Sequence, residues 1–369
     1  LIAAVLLALL TQQFTAEPAP EWDALFLRPS GWTGADGIQS IPLDGDDRSG
    51  GLTRTDTLFL FSDSFIGEIR PGGTRHDAKL VNNTAALLTR DGFPDGIRFH
   101  HGGTAAAPAA LFVPSTPLAK PGEWYWPHDG IALDGAVHFF AHRFLRSSGG
   151  LGFARAGLAA ITLPRGSLPP FAEAVQRDCP FYAPTTPLRA ETTFGCAILA
   201  NTAAAGAPHP DGWLYVTGVR EAPLDKRLLC ARVKPEALLD WTAWTFWDGA
   251  AWTAEFEAAA AVTDRVSPEH SITPLEDGRF LLVYQADTIS RVVAARIGVA
   301  PQGPYGEQID LFTCPVPEAP QVWTYNAKAH PHLSGPRELL VSYHVNPTNF
   351  WDNFRYADAY RPRFIRVGW

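Results

Sequence analysis

Two aspartates are placed where carboxyl chemistry would need them. Asp36 stands in G-A-D-G, ahead of a short apolar stretch that includes Ile38 and Ile41. Asp63 follows Leu58 to Phe61, L-F-L-F, with only Ser62 between. An apolar run that ends in an acid is unusual, because burying a carboxylate without a partner is costly. One such residue would read as a turn cap. Two flanking a single predicted hairpin read as a pair able to work on one bond, one giving a proton and the other activating water or attacking. Asp63 has the more apolar surroundings and reads as the general acid. Asp36, between Gly34 and Gly37, reads as the base or nucleophile.

The elements that would position these acids recur. A short apolar strand, a Gly-containing turn and a second apolar strand appear five times, starting near residues 36, 129, 195, 270 and 330. Further predicted strands fall between them, at 156–163, 228–233, 292–299 and 364–367. Residues 100–122 read as loop. Long amphipathic helical patterns are scarce. The chain therefore reads as all-β, a five-bladed β-propeller of four-stranded antiparallel blades, with residues 21–369 as one domain. In that arrangement the first strands of all blades run along one axis. Positions far apart in sequence then meet at one pole: Asp36, His128, Asp129, Glu191, Glu269, Lys328 and His330.

The polar residues at these recurring positions are candidate ligand contacts. Glu191 and Glu269 are candidates for a third acid that tunes the pair. Asp129 follows W-Y-W-P-H, so Trp124 and Trp126 could stack on a sugar face while His128 and Asp129 bind hydroxyls. His270, His330 and His344 could line the channel. Asn82 and Asn83, Tyr325 and Asn326, and Lys328 could hold hydroxyls or fix one blade to the next. Each has a bland alternative in core packing or backbone bonding. Clustered histidines and carboxylates leave room for one central cation, calcium before zinc, although no metal ligand set is spelled out. The W-x-x-W-x-x-W-D-G-x-x-W stretch from Trp241 reads as packing at the outer edge of the third blade.

Composition narrows the partners. Of 369 residues, 46% are hydrophobic and only 18% charged, with 12 Trp and a net charge of −8. A nucleic-acid binder would need a basic face, which this balance does not supply. Many aromatic rings and few charges suit a neutral ligand such as a polysaccharide or oligosaccharide. The first ten residues, L-I-A-A-V-L-L-A-L-L, read as the apolar core of an export signal, so residues 1–20 are expected to be a leader remnant or extension. That run is short for stable membrane insertion. Four cysteines lack C-x-x-C spacing, and an exported chain could pair Cys196 with Cys230. The signatures of serine hydrolases, zinc proteases, Walker loops and dinucleotide folds are absent.

The ordered set G-W-T-G-A-D-G-I-Q-S-I-P-L (31–43), L-F-L-F-S-D-S (58–64), V-N-N-T-A-A-L (81–87), F-G-C-A-I-L (194–199), Y-N-A-K-A-H-P-H-L-S (325–334), L-L-V-S-Y-H-V-N (339–346) and Y-R-P-R-F-I-R-V (360–367) resembles a family of bacterial secreted five-bladed propellers, long classed as a domain of unknown function, that includes endo-D-arabinanases. The resemblance implies an exported glycoside hydrolase whose essential carboxylates match Asp36 and Asp63. Two departures stand out. Ser62 replaces the usual Gly before the second acid, and the loop from Asp44 to Thr55 is long. A carbohydrate-binding propeller without catalysis and a polysaccharide lyase are the competing readings.

Overall fold

The computed structural model describes residues 13–369, apart from 51–54, 92, 94, 150, 188, 223, 224 and 319. The leader expected at residues 1–10 lies outside the described residues. Among the described residues only one α-helix forms, Pro20–Leu25, and no helix is long and apolar enough to cross a membrane. The rest is antiparallel sheet with short 3-10 turns.

Among the described residues there are seven sheets, and five of them carry four or more strands. The first holds Gln39–Pro42, Thr57–Phe61, Thr84–Leu88 and Ile97–His100. The second runs Trp124–Leu133, Ala136–Arg146, Phe153–Leu163 and Val175–Cys179. The third is widened to six strands, with Glu191–Asn201, Trp213–Ala222 and Asp225–Val233 at its centre and the tryptophan-rich strands Thr245–Trp247 and Trp252–Thr253 at its outer edge. The fourth is His270–Pro274, Phe280–Gln285, Val292–Gly298 and Ile309–Thr313. In the fifth, Val322–Ala329, Glu338–Pro347 and Pro362–Gly368 are completed by Thr15–Pro18 from the other end of the chain. That pairing draws residues 15–18, expected to precede the domain, into the sheet.

Local chemistry explains the hairpins. Between the first two strands of the second sheet, Asp134 and Gly135 both take positive φ, the backbone that a two-residue hairpin turn requires. The fifth hairpin differs from the expectation at 329–333. Its first strand lies upstream at Val322–Ala329, and Pro331–Leu333 forms a 3-10 turn. Proline has no N–H to give to a ladder, so the strand ends before it.

The apolar runs bury both faces of each sheet. In Thr57–Phe61, Phe59 and Phe61 join a cluster with Phe26, Leu340 and Phe364 of the fifth sheet's side, while Leu58 and Leu60 join one with Tyr125 and Phe139 of the second sheet. In Phe280–Gln285, Leu282 and Tyr284 face the third sheet and Leu281 and Val283 the fifth. The period-2 geometry of a strand sends alternate side chains to opposite neighbours. Ile131, Phe140, Phe194 and Val216 fill the remaining space between the second and third sheets. The five clusters thus link the sheets in sequence and return from the fifth to the first. Truncating one of these fully buried rings to Ala would destabilise the fold by about 3–5 kcal/mol.

A three-stranded accessory sheet, Ser30–Ala35, Ser64–Arg70 and Thr74–Val81, stands beside the first sheet. It lies outside the five recurring hairpins of the sequence. Its buried Arg75 donates to the carbonyls of Thr33, Asn353 and Ala357, tying it to the excursion between the last two strands of the fifth sheet. All four cysteines are free and buried. Cys196 and Cys230 share one hydrophobic cluster without a bond, which corrects the expected bridge.

Candidate active site

Asp36 and Asp63 leave the backbone at adjacent points. The Asp36 N–H donates to the Asp63 carbonyl at 3.2 Å, and the Ser62 N–H donates to the Asp36 carbonyl at 2.9 Å. Gly37 sits between them with φ of +62°, and a Cβ there would lie 2.6 Å from Ser62 Oγ. A glycine is therefore required where Ser62 stands in the loop. This reciprocal backbone bonding sets the two acids side by side in the wall of one cavity.

The cavity has a volume of about 480 Å3. Asp36, Ser62 and Asp63 line one side, with Trp126, His128, Leu151 and Phe153 from the second sheet, Glu269 and Ile289 from the fourth, and Trp323, Tyr325, Asn326, Asn346, Phe350, Trp351 and Tyr360 from the fifth. Three carboxyl groups therefore meet among aromatic walls. Among the described residues no Lys or Arg lines the cavity. All three acids are partly buried, each keeping an edge open.

The environments of the three acids differ. Burial raises the pKa of Asp36 to about 6, against the opposing hydrogen bonds from the Tyr325 and Tyr360 hydroxyls. The Tyr325 hydroxyl donates to Asp36 Oδ2 at 2.8 Å. Asp63 is raised to about 7 by burial and by the charge of Asp36, opposed by Trp126 and Asn82. Trp126 Nε1 and Asn82 Nδ2 both donate to Asp63 Oδ1, at 2.8 and 3.1 Å. Glu269 is raised to about 7 by burial, with the charge of Asp36 adding to it. Like charges this close do not ionise together, so the site holds protons in the neutral pH range.

Polar groups deeper in the ring of sheets pair with one another. Lys328 Nζ and Asp129 Oδ2 form a buried ion pair at 2.9 Å, and Asp129 Oδ2 also accepts the Ile198 N–H at 2.8 Å. Beyond them lies a second, small cavity of about 30 Å3. Residues 44–50, after Leu43, reach this side. Asp47 N–H bonds Ala205 O, Gly50 N–H bonds Ser334 O, and Asp47 Oδ1 meets His332 Nδ1 at 2.9 Å. The described residues 44–50 of the loop between the two acids thus pack against that side.

The family described as a domain of unknown function (DUF5005) matches residues 20–369. The chain belongs to this family. A Bacteroides ovatus ATCC 8483 protein, provisionally assigned as a hydrolase, shares the fold of this DUF5005 chain. The two align with a TM-score of 0.74 and 20% identity, over 96% of this chain and 90% of that one. A GH32 β-fructofuranosidase from Bombyx mori aligns with a TM-score of 0.47 and 9% identity, over 94% and 62% of the two chains. A GH43_1 enzyme from Xanthomonas citri complexed with xylose aligns with a TM-score of 0.46 and 13% identity, over 95% and 93%. Values this low carry nothing about chemistry. No curated protein matches the sequence.

The DUF5005 fold brings Asp36, Asp63, Trp126, His128 and Glu269 of the sequence candidates to the cavity. Trp126 serves differently from the expected stacking face. Its ring packs on Phe144 and Phe153 at 4.2 and 4.8 Å, and its N–H holds Asp63. His128 is neutral, its pKa lowered to about 3 by burial and by the charges of Arg155 and Lys328. Its Nδ1 has no hydrogen-bond partner among the described residues.

Six candidates are engaged elsewhere. Asp129 and Lys328 neutralise each other beneath the cavity. Asn83 is fully buried and clamps a loop, donating to Phe112 O and Tyr125 O and accepting from Phe112 N–H. Glu191, which opens the strand Glu191–Asn201, is paired with Arg155 of the second sheet. His270 bonds Thr217 and Ser267 O through its two nitrogens, and His330 bonds Ser40 and Ser342 through its own. These side chains fasten one sheet to another. Among the described residues no group of three or more His, Cys, Asp or Glu is arranged to hold a metal. Asp129, one of the carboxylates considered from sequence, is already paired with Lys328.

Tyr325, a sequence candidate for holding hydroxyls or fixing one blade to the next, lines the cavity and bonds Asp36. Tyr360, Trp323, Asn346, Phe350 and Trp351 carry no such signal in the sequence. Trp323 lies in the strand Val322–Ala329, and the others on or beside the fifth sheet's last excursion, whose sequence carries no turn-strand repeat.

Proposed function

We propose that this protein is an exported glycoside hydrolase that cleaves a furanoside-type polysaccharide, arabinan or arabinogalactan-like, with Asp36 and Asp63 as its carboxyl pair. One observation carries the reading. Two carboxyl groups share an aromatic-walled cavity and are separated in proton affinity by different partners, two tyrosine hydroxyls on Asp36 against one indole and one amide on Asp63.

The chemistry follows from that difference. Near neutral pH Asp36 loses its proton first, because its tyrosine donors favour the charged form. Asp63, facing the resulting charge, retains its proton. A glycosidic oxygen placed against Asp63 would take that proton as the bond to the sugar carbon breaks. Asp36 would act on that carbon as nucleophile, or through water as general base. Glu269 stays protonated in the same range and adds no second negative charge beside Asp36 until pH rises. Neutral His128 forms part of the cavity wall and adds no charge to it. The pair therefore supports activity in a window bounded by the ionisation of Asp36 below and of Asp63 above.

The ring of five sheets supports a five-bladed propeller with four-stranded blades as its repeating unit, the cavity at one pole. The furanoside substrate and endo-D-arabinanase-like action rest on the sequence resemblance. Export rests on the apolar run at residues 1–10.

The test is reducing-sugar release from arabinans, arabinogalactans, xylans and fructans by wild type, Asp36→Asn, Asp63→Asn and Glu269→Gln. The expectation is release by wild type, losses of several orders of magnitude in both Asp variants with folding retained, and residual activity with an altered pH profile in Glu269→Gln. Undiminished release by either folded Asp variant would remove that residue from the mechanism. Tight glycan binding with no release from the whole panel would favour a binding module.

A further inference from the structure

The segment Phe350–Phe354, F-W-D-N-F, is held from beneath with unusual completeness. Phe350 stacks on Phe65 of the accessory sheet at 5.9 Å, and Phe354 meets the same ring edge-on at 5.4 Å. Asn353 is fully buried, its carbonyl accepting Arg75 Nη1 at 2.6 Å and its amide donating to Asn346 Oδ1 at 2.9 Å. The Arg75 guanidinium also lies over Phe65, 4.6 Å from the ring centre. Trp351 rises from this support with 68% of its surface exposed. Its indole is backed by Phe354, 6.2 Å away and 28° from parallel.

Trp351 lines the same cavity as the three acids, and it is not alone. Leu151 of the second sheet is 67% exposed and Ile289 of the fourth 46%, and both also line it. Three exposed apolar side chains from three separate sheets converge on one opening. Such a concentration marks a binding surface, since scattered exposed apolar residues are normal but a shared patch is not. An indole on a fixed support loses little conformational freedom when a ligand covers it.

Charge selects the occupant. The cavity presents three carboxyl groups and, among the described residues, no Lys or Arg. An anionic sugar would meet ionised Asp36 with no compensating cation. A purely apolar ligand would leave the carboxyl groups unpaired. A neutral sugar chain matches both ends, with hydroxyls for the acids and an apolar C–H ring face for the indole.

We propose that Trp351 is the platform of an outer sugar subsite, stacking one ring of an uncharged glycan at least two units long while a neighbouring unit sits at the acids. The assignment rests on the glycosidase reading for the inner unit. The stacking itself does not require catalysis, and this separates the two.

The experiment measures binding by calorimetry in the full chain carrying Asp63→Asn, which prevents turnover. The probes are arabino-, xylo-, galacto- and fructo-oligosaccharides of about six units, with hexagalacturonate as the anionic probe. Trp351→Ala and Trp351→Phe are placed in the same background, and thermal melts check folding; Trp351 is exposed, so its loss leaves the core intact. The expected result is binding of at least one neutral oligosaccharide and none of hexagalacturonate. Affinity should fall about tenfold in Trp351→Ala, the effect of losing one central aromatic contact, and be largely retained in Trp351→Phe. Unchanged affinity in Trp351→Ala, tighter binding of hexagalacturonate than of every neutral probe, or no binding of any neutral probe at millimolar concentration would overturn the proposal. Trp351-dependent binding of a neutral glycan that the wild type never cleaves would uphold the subsite and overturn the glycosidase reading instead.

Discussion

Replacing Tyr325 with Phe removes one hydroxyl 2.8 Å from Asp36 Oδ2 and leaves the ring in place. That hydroxyl donates to the carboxylate, so its loss penalises the charged form and raises the pKa of Asp36. A hydrogen bond to a charged group contributes about 1.5–3 kcal/mol in a buried setting. Tyr360 still donates to Asp36, so the lower end of that range applies, and about 1.4 kcal/mol corresponds to one pKa unit. The acidic limb of the kcat/KM profile, set by Asp36 at about 6 in the native protein, should move up by roughly one unit. Well below that limb, kcat/KM should fall about tenfold at any given pH. The alkaline limb should stay in place, because above it Asp36 is already charged and holds the proton on Asp63 as before. The bell should narrow from its acidic side and its maximum should fall. The assay is the pH dependence of kcat/KM on whichever glycan the wild type cleaves, with a urea melt to confirm folding. Carbon NMR titration of the labelled carboxyls gives the same shift without turnover. An acidic limb in Tyr325→Phe that coincides with that of wild type would refute the assignment of Asp36 as the group that must be ionised.

Two further outcomes follow from the same geometry. Asp63 binds its proton more tightly folded, at about 7, than at its ordinary value of 3.8, so it withdraws stability as pH rises between those values. Asp63→Asn should therefore gain on the wild type across that window, reaching on the order of 1–2 kcal/mol at pH 8 once solvent in the open cavity is allowed for; urea melts at pH 5 and 8 measure it, and a variant less stable than wild type at pH 8 would contradict it. Lys328→Met leaves the Asp129 carboxylate buried without its cation 2.9 Å away, which should lower stability by about 3–5 kcal/mol, with most of it recovered on adding Asp129→Asn. Thermal or urea unfolding decides the matter, and a Lys328→Met melt equal to wild type would show that the pair contributes little.

The hairpins were legible because their causes are local. Asp134-Gly135 needs no distant partner to turn a chain, and L-F-L-F followed by S-D-S announces a strand buried on both faces and closed by an acid. The strand carrying Asp63 and the loop carrying Asp36 could therefore be found without the fold. The small share of charged residues and the many aromatic rings also pointed to a neutral ligand.

Which candidates reach the cavity was decided by tertiary structure. The strands Trp124–Leu133, Glu191–Asn201 and Val322–Ala329 each carry an irregularity, between Pro127 and Gly130, Phe194 and Ala197, and Tyr325 and Lys328. An extra residue in a strand breaks the alternation of its side chains. Trp126 and His128 thus line the cavity while Asp129 meets Lys328 beneath it. Tyr325 reaches Asp36 while Lys328 and His330 lie below, in contacts between sheets. Asn326, at φ of +58°, takes the bend in the fifth sheet. A one-residue change in pleat is nearly invisible in a sequence, yet it separates a ligand contact from a structural one. The accessory sheet is the second case. Arg75 and Phe65 show nothing locally of the support they give to Trp351, almost 300 residues away along the chain, because that role exists only once the chain has closed into a ring. The sequence by itself determined the strands, their turns and the identity of the two acids, all set by neighbours a few residues away. The orientation of each polar side chain, the tyrosines that set the proton affinity of Asp36 and the exposed tryptophan at the rim depend on packing between sheets, and only the tertiary structure decided them.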